Sequence, residues 1–242
     1  MRDLTAESKT VVAFDLDHTI SRRDTFKPFL LRLVRATPAR LAYLPHLAWS
    51  WSQHQFGQTS NEDMKNTFLA RLAAGMSRAE LNAIAEQHVR RLLSDGLFAE
   101  AIEALEQHRA RGAHLLLATA SPDIYVEPLA TALEFHSVIA SRLAWHDDDT
   151  FAGHLDGNNC YAQEKARRVQ GWLDAHPSMT LQRVYTDHIS DLPFLAMARE
   201  GVAVNADVRL QSASAGLALR FVRWQAAGMM APATAASRAA AG

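Results

Sequence analysis

Asp15 and Asp17 stand two residues apart, one strand alternation, directly behind the apolar run VVAF, and Thr19 follows two residues later. Two carboxylates held this close repel each other and lose hydration unless a proton or a cation sits between them. The pair is therefore either a solvated turn or part of a site built for positive charge. Other polar residues end apolar runs in the same way: Thr119 after AHLLLA, Asp187 after LQRVY and Asn205 after VAV. Asp191 lies four residues beyond Asp187, and Lys165 sits in the helical stretch YAQEKARRVQGWLDAH. Asp15, Asp187 and Asp191 offer oxygen ligands alone, the set that Mg2+ prefers while it keeps some of its waters. Beside such an ion, the Thr119 hydroxyl and the backbone N–H groups of the turn that follows, starting at Ala120, are placed to donate to an anion. Lys165 would balance the charge of a phosphate brought against the carboxylates.

These residues need elements that bring them together. Residues 10–16 (TVVAFDL) are β-branched and apolar and predict a short buried strand. From about Phe26 to Arg111 the pattern is helical, with apolar residues at three- and four-residue spacing in FKPFLLRLVRA, NEDMKNTFLARLAAG and SRAELNAIAEQHVRRLL. Asn61 with Asp63 and Ser77 with Glu80 mark helix starts, the second with capping-box spacing. FAEAIEALEQHRARG predicts one more helix, stopped at Gly112.

Beyond residue 112, strands and helices alternate. AHLLLATAS and HSVIAS read as strands, and SRLAWHDDDTFAGHLDG as a hairpin with HDDD at its tip. Ser121 is expected to cap a helix beginning near Pro122. After the Lys165 helix come strand LQRVYTD, a helix over SDLPFLAMAREG ending at Gly201, strand VAVN, helix DVRLQSASAG and strand LALRFV. Such alternation predicts a parallel α/β sheet, with residues 22–95 inserted as a helical cap. The core is then residues 1–21 and 96–225, and the low-complexity stretch 226–242 is a flexible tail. In open parallel sheets ligands bind beyond the carboxyl ends of the strands, which is where the polar residues above would meet.

Composition narrows the function class. The chain has 242 residues, 48% of them hydrophobic and 21% charged, enough to bury a full core. A formal net charge of −1 gives no reason to expect a nucleic-acid partner. The single cysteine, Cys160, excludes an intrachain disulfide framework and fits a cytoplasmic protein. The N-terminal MRDLTAESKT lacks the apolar core of a secretory signal. LAYLPHLAWSW, broken by Pro45 and His46, is too short to span a bilayer, so no integral membrane segment is expected, and peripheral contact stays open. Nothing in the sequence sets the oligomeric state.

The set Asp15-x-Asp17-x-Thr19, Thr119, Lys165 and Asp187-x-x-x-Asp191, in this order, resembles the four motifs of the haloacid dehalogenase superfamily. The order of elements, and the stretches LLLATASP, NCYAQEKARR and YTDHISDLPFLAMA, are similar to its phosphoserine-phosphatase-like branch, subfamily IB. FDLDHTISRRDTFKPFLLRLVR followed by LAYLPHL is also similar to bacterial phosphatidylglycerophosphatase C. The resemblance implies a Rossmann-like α/β core with an inserted α-helical cap. It implies a Mg2+-dependent phosphatase acting on a small phosphorylated substrate, with Asp15 attacking phosphorus to form an aspartyl-phosphate. Asp17 would protonate the leaving alkoxide and later take a proton from water; dehalogenases of the superfamily lack that carboxylate. Mg2+ would be held by Asp15, Asp187 and the Asp17 backbone carbonyl, with Asp191 just behind them.

Two alternatives stand beside this expectation: a lipid-phosphate phosphatase at a membrane surface, and a phosphate-binding module without turnover, against which Asp17 and Lys165 argue. Asp24 and Phe26 follow the nucleophile closely and are candidates to reach substrate. Asn205 is either a helix cap or a hydrogen bonder in the site. Tyr43, Trp49, Trp51 and Phe56 serve the core of the cap, an apolar substrate pocket or a membrane-touching surface. His18, His188, Ala162 and Ala206 depart from the residues usual in the branch; none removes a catalytic group.

Overall fold

In the computed structural model, which describes residues 9–214 and 216–225, the central strand is β1 (Lys9–Phe14), buried from Val11 onward. Burial on both faces is what a strand inside a parallel sheet requires. The sheet runs in the order β3 (Ser137–Ser141), β2 (His114–Pro122), β1, β6 (Met179–Thr186), β7 (Glu200–Val204) and β8 (Leu219–Val222), every neighbouring pair parallel. Successive side chains alternate between two apolar clusters: Val12, Phe14, Leu115 and Leu117 enter one, and Val11, Ala13, Leu116 and Ala118 the other. The expected tail, 226–242, lies outside the described residues.

Register sets the site. Phe14 pairs with Leu117 on one side and with Tyr185 on the other. Asp15, Thr119 and Asp187 therefore leave the sheet within two residues of one common rung. The Asp15 N–H still donates to the Tyr185 carbonyl at 2.9 Å, which fixes where its side chain begins.

Between β1 and β2 the chain is helical, through α1 (Phe26–Ala36), a 3₁₀ turn (Pro38–Tyr43), α2 (Leu44–Gln55), α3 (Asn61–Ala73), α4 (Arg78–Arg91) and α5 (Ala99–Ala110). Helix α1 buries the stripe Phe26, Phe29, Leu30, Leu33 and Val34. Helices α3 and α4 both open with a capping box, Ser60 with Asp63 and Ser77 with Glu80. Ser60, one residue before the expected Asn61, does the capping in the first.

The remaining helices are α6 (Asp123–Ala132), α7 (Gln163–Ala175), α8 (Leu192–Leu195) and α9 (Val208–Ala213). A hairpin of β4 (Leu143–Trp145) and β5 (Phe151–Leu155) leaves the sheet region and braces the helical block. Phe151 donates to the Met76 carbonyl at 2.8 Å and accepts from the Gly75 N–H at 2.9 Å. Gly153, at φ +90, lets β5 lie against Ala70 and Ala74.

The helix expected over SDLPFLAMAREG is cut short. A 3₁₀ turn (Ile189–Asp191) leads into the four residues of α8, and Gly201 lies within β7 instead of stopping a helix. A Cβ on Gly201 would collide with Leu219 Cδ2 and meet Leu195 Cδ2 at 3.0 Å, so this glycine marks close packing of neighbouring elements. Gly201→Ala is expected to destabilise the fold by roughly 1–3 kcal/mol through overpacking. Gly171→Ala, on α7 with open space around it, should instead stabilise by about 0.5–1 kcal/mol. Urea unfolding of both variants checks the opposite signs.

Candidate active site

Lys165 extends from the first turn of α7 into the carboxyl end of the sheet, where its ammonium is almost wholly buried. It donates to Asp15 Oδ1 at 2.8 Å and to Asp191 Oδ2 at 2.7 Å. Thr186 Oγ1 also donates to Asp191 Oδ2, at 2.7 Å. Burial opposes the charge on Lys165, yet Asp15 and Asp191 hold its ammonium well above the ordinary lysine range. Asp15 is pushed up by burial, with Lys165 opposing and Asp191, Asp187 and Asp17 adding to the rise. Burial likewise pushes Asp187 up to about 6, against His18 and His188.

This cluster holds more negative charge than Lys165 can balance. Asp191 Oδ1 is buried and without a hydrogen-bond partner, and Asp15, Asp187 and Asp191 offer carboxylate oxygens to the same cavity. That chemistry fits a small hard cation. Among the described residues no three His, Cys, Asp or Glu side chains are arranged to hold an ion by themselves. Asp15 and Asp187 would therefore need a backbone carbonyl and water to complete the ligand set, as Mg2+ commonly does.

Asp17 is held differently. Its Oδ1 accepts the Thr25 N–H at 2.6 Å and its Oδ2 the Ser121 hydroxyl at 2.8 Å. Thr25 Oγ1 lies 3.3 Å from Ser121 Oγ and 3.1 Å from the Tyr125 hydroxyl, which closes a buried polar network. Burial raises the Asp17 pKa and Asp24 adds to the rise, while the bonds from Thr25 and Ser121 restrain it. Ser121 thus does not cap α6, as its place before Pro122 suggested; its hydroxyl is taken by Asp17, and α6 has no side-chain cap. The buried Thr119 Oγ1 accepts the Ser121 N–H at 3.1 Å, leaving its proton to donate. The neighbouring Ala120 carbonyl accepts from Ser141 Oγ at 2.8 Å and from Lys65.

Lys65 is the member that sequence reasoning missed. It is buried on α3, donates to Asn159 Oδ1 at 2.8 Å and lies 5.4 Å from the centre of the Phe26 ring. Burial pushes its pKa down to about 8. One signal was available: Lys65 stands four residues before Leu69 and seven before Leu72, on the buried stripe of its own helix.

Above Asp15, Asp17, Thr119, Ala120, Lys165 and Asp187 opens a cavity of about 1030 Å3, and Asp191, Asp24 and Phe26 line it too. Asp24 Oδ1 also accepts the Lys27 N–H at 2.8 Å. Asn205 is elsewhere. Its Oδ1 accepts the Trp224 N–H at 2.9 Å, its own N–H donates to Val222, and Asp207 caps α9. Asn205 is therefore neither a helix cap nor a hydrogen bonder in this cavity; it joins β7 to the chain beyond β8.

Two departures from the expected motifs show their backbone reason. His18 sits at φ +58, a left-handed position where Gly is unstrained and His is tolerated. Ala162, just before α7, has φ +52 and ψ −121, a conformation that costs a residue with a Cβ.

The family model for haloacid dehalogenase-like hydrolases matches residues 12–196. The chain belongs to that family. Protein CicA of Caulobacter vibrioides (strain NA1000 / CB15N) is 31% identical over 199 residues, covering 78% of this chain and 83% of that protein. Phosphoserine phosphatase SerB1 of Mycobacterium tuberculosis (strain ATCC 25618 / H37Rv) is 28% identical over 219 residues, covering 87% and 68%. A solved protein of Bordetella pertussis Tohama I shares the fold, with TM-score 0.77 and 22% identity over 89% of this chain and 98% of its own. This haloacid dehalogenase-like hydrolase is a phosphatase of the phosphoserine-phosphatase-like kind, built on the family's Rossmann-like α/β fold.

Lys165→Met would leave Asp15 and Asp191 facing each other without their cation, a loss expected to cost roughly 3–5 kcal/mol at neutral pH. Asp15, raised further in that variant, binds its proton more tightly folded than unfolded. The penalty should therefore be full at high pH and shrink as pH falls through the raised value toward about 4. Urea midpoints of the two proteins at pH 8 and pH 5 test this; an equal gap at both pH values would rule out the charge explanation. Ala162→Gly should raise stability by roughly 0.5–1 kcal/mol, since relief of the left-handed strain exceeds the added chain entropy. Calorimetry reads that change as a higher Tm.

Proposed function

We propose that this phosphatase hydrolyses a phosphomonoester in two steps, with Mg2+ present and the phosphoryl group carried in between on Asp15. The observation that carries the reading is the contrast between two neighbouring carboxylates. Asp15 is paired with the buried Lys165 ammonium, whereas Asp17 accepts only from uncharged groups, the Thr25 N–H and the Ser121 hydroxyl, and burial raises the pKa of both. Neighbouring carboxyl groups, one held by a fixed cation and the other by neutral donors, suit the separate roles of nucleophile and acid–base.

In the first step an Asp15 carboxylate oxygen attacks phosphorus. The bond from phosphorus to the leaving oxygen breaks, and that oxygen takes the proton of Asp17. In the second step Asp17, now ionised, takes a proton from a water that attacks phosphorus. The bond to Asp15 then breaks and inorganic phosphate departs. Thr119 and the backbone N–H of Ala120 hold the phosphoryl oxygens, and Lys165 balances their charge. Asp15, Asp187 and the Asp17 carbonyl hold Mg2+, with Asp191 just behind them, and the bound ion supplies charge neutralisation during transfer.

The core is formed by residues 1–21 and 96–225, and residues 22–95 act as the cap that closes over the substrate, with Asp24 and Phe26 at its entrance. The lone buried thiol of Cys160 fits a reducing cytoplasm. One observation favours a second reading, in which the leaving group is a lipid: above the polar floor the cavity wall is apolar, formed by Leu30, Val34, Leu47, Met64, Phe68 and Leu72.

Release of phosphate from p-nitrophenyl phosphate tests the chemistry. Activity should require Mg2+ and vanish with EDTA. Asp15→Asn should abolish turnover, and Asp17→Asn should lower kcat by roughly 10²–10⁴-fold. Mass spectrometry of acid-quenched wild-type enzyme should find phosphate on Asp15. Activity that survives Asp15→Asn, or is indifferent to EDTA, would sink the mechanism.

A further inference from the structure

Six of the twelve exposed large apolar side chains among the described residues fall between positions 41 and 56: Leu41, Tyr43, Leu44, Trp49, Trp51 and Phe56. They belong to the 3₁₀ turn and to α2, a helix that buries only Leu47 and Ser50. Phe56 is 80% exposed and Trp49 is 63% exposed. An apolar surface this concentrated has a use, because monomers seldom leave such patches in water.

Charge supplies a second, independent observation. Residues 25–60 contain no Asp or Glu but include Lys27, Arg32, Arg35 and Arg40, in a chain whose net charge is −1. Arg71 adds a guanidinium 5.5 Å from the centre of the Tyr43 ring. Exposed Trp and Tyr side chains on a stretch of chain whose own formal charges are all basic suit the headgroup region of an anionic bilayer. The patch also borders the cavity: its exposed Leu44 and Trp51 are among the cavity's lining residues, with Leu31 of α1.

We propose that the Pro38–Tyr43 turn and α2 form a docking surface for an anionic lipid bilayer, which sets the mouth of the cavity against the membrane. A second copy of the chain fits less well, because a two-fold contact would press this basic surface against its own image. No helix among the described residues is long and apolar enough to cross a membrane, so the contact lies in the plane of the interface. The surface gives the lipid reading a route of access, but vesicle binding is measured without turnover, so it stands or falls apart from the phosphoryl chemistry.

The full chain is centrifuged with vesicles of phosphatidylcholine alone, or of phosphatidylcholine with phosphatidylglycerol. It should pellet with the second kind, remain in solution with the first, and be released by high salt. Trp49→Ser combined with Phe56→Ser should lower the partition coefficient by about tenfold or more, and Arg35→Glu should lower it on anionic vesicles. None of these residues lines the cavity, so hydrolysis of p-nitrophenyl phosphate without vesicles should be unchanged, and circular dichroism confirms folding if no turnover is seen. Wild-type protein that ignores anionic vesicles overturns the proposal, as does a double variant that binds like wild type. A dimer abolished by the double variant, with no vesicle binding, overturns it in favour of self-association.

Discussion

Lys165 brings one ammonium group into a sheet end that already carries Asp15 and Asp191, with Asp17 and Asp187 close by. Removing those charges from water is costly, and the pairs offset that cost only where geometry is tight. Much of the surrounding structure can be read as the means of keeping it tight. Parallel register brings Asp15 and Asp187 out within two residues of one rung; Thr186 holds Asp191; and Ala162, at φ +52, precedes the α7 turn that carries Lys165.

The strand-borne half of the site was legible in the sequence because residue type and local pattern both announced it. A carboxylate or hydroxyl at the end of a β-branched, apolar run has few structural reasons to be there, and parallel α/β topology then brings such ends together. Lys165 was legible through its neighbours in NCYAQEKARR. Other members were not legible, because their roles arise only from distant contacts. Ser121 looked like a cap beside Pro122, but a tertiary hydrogen bond to Asp17 takes its hydroxyl. Lys65 carried no motif of its own, and only its place on the stripe of Leu69 and Leu72 held the information. Gly201 resembled a helix stop because a glycine required by close packing and one required by a turn are identical in sequence.

Chemistry and recognition are divided between the two parts of the molecule. The side chains proposed to meet phosphorus come from the strand ends and from α7, beyond the carboxyl end of the sheet. The apolar wall comes from the helices between β1 and β2. The motifs therefore speak to the reaction and say little about the leaving group.

Asp17 takes its two hydrogen bonds from opposite sides of that division: from Thr25, at the entrance to the helical block, and from Ser121, at the end of β2. Its orientation is thus a property of neither part alone. A displacement of the helices relative to the sheet that moved Thr25 away would strip the proton donor of one support while leaving the Asp15–Lys165 pair intact. In the proposed mechanism, proton transfer from Asp17 would then depend on a closed cavity, and bond formation to Asp15 would not.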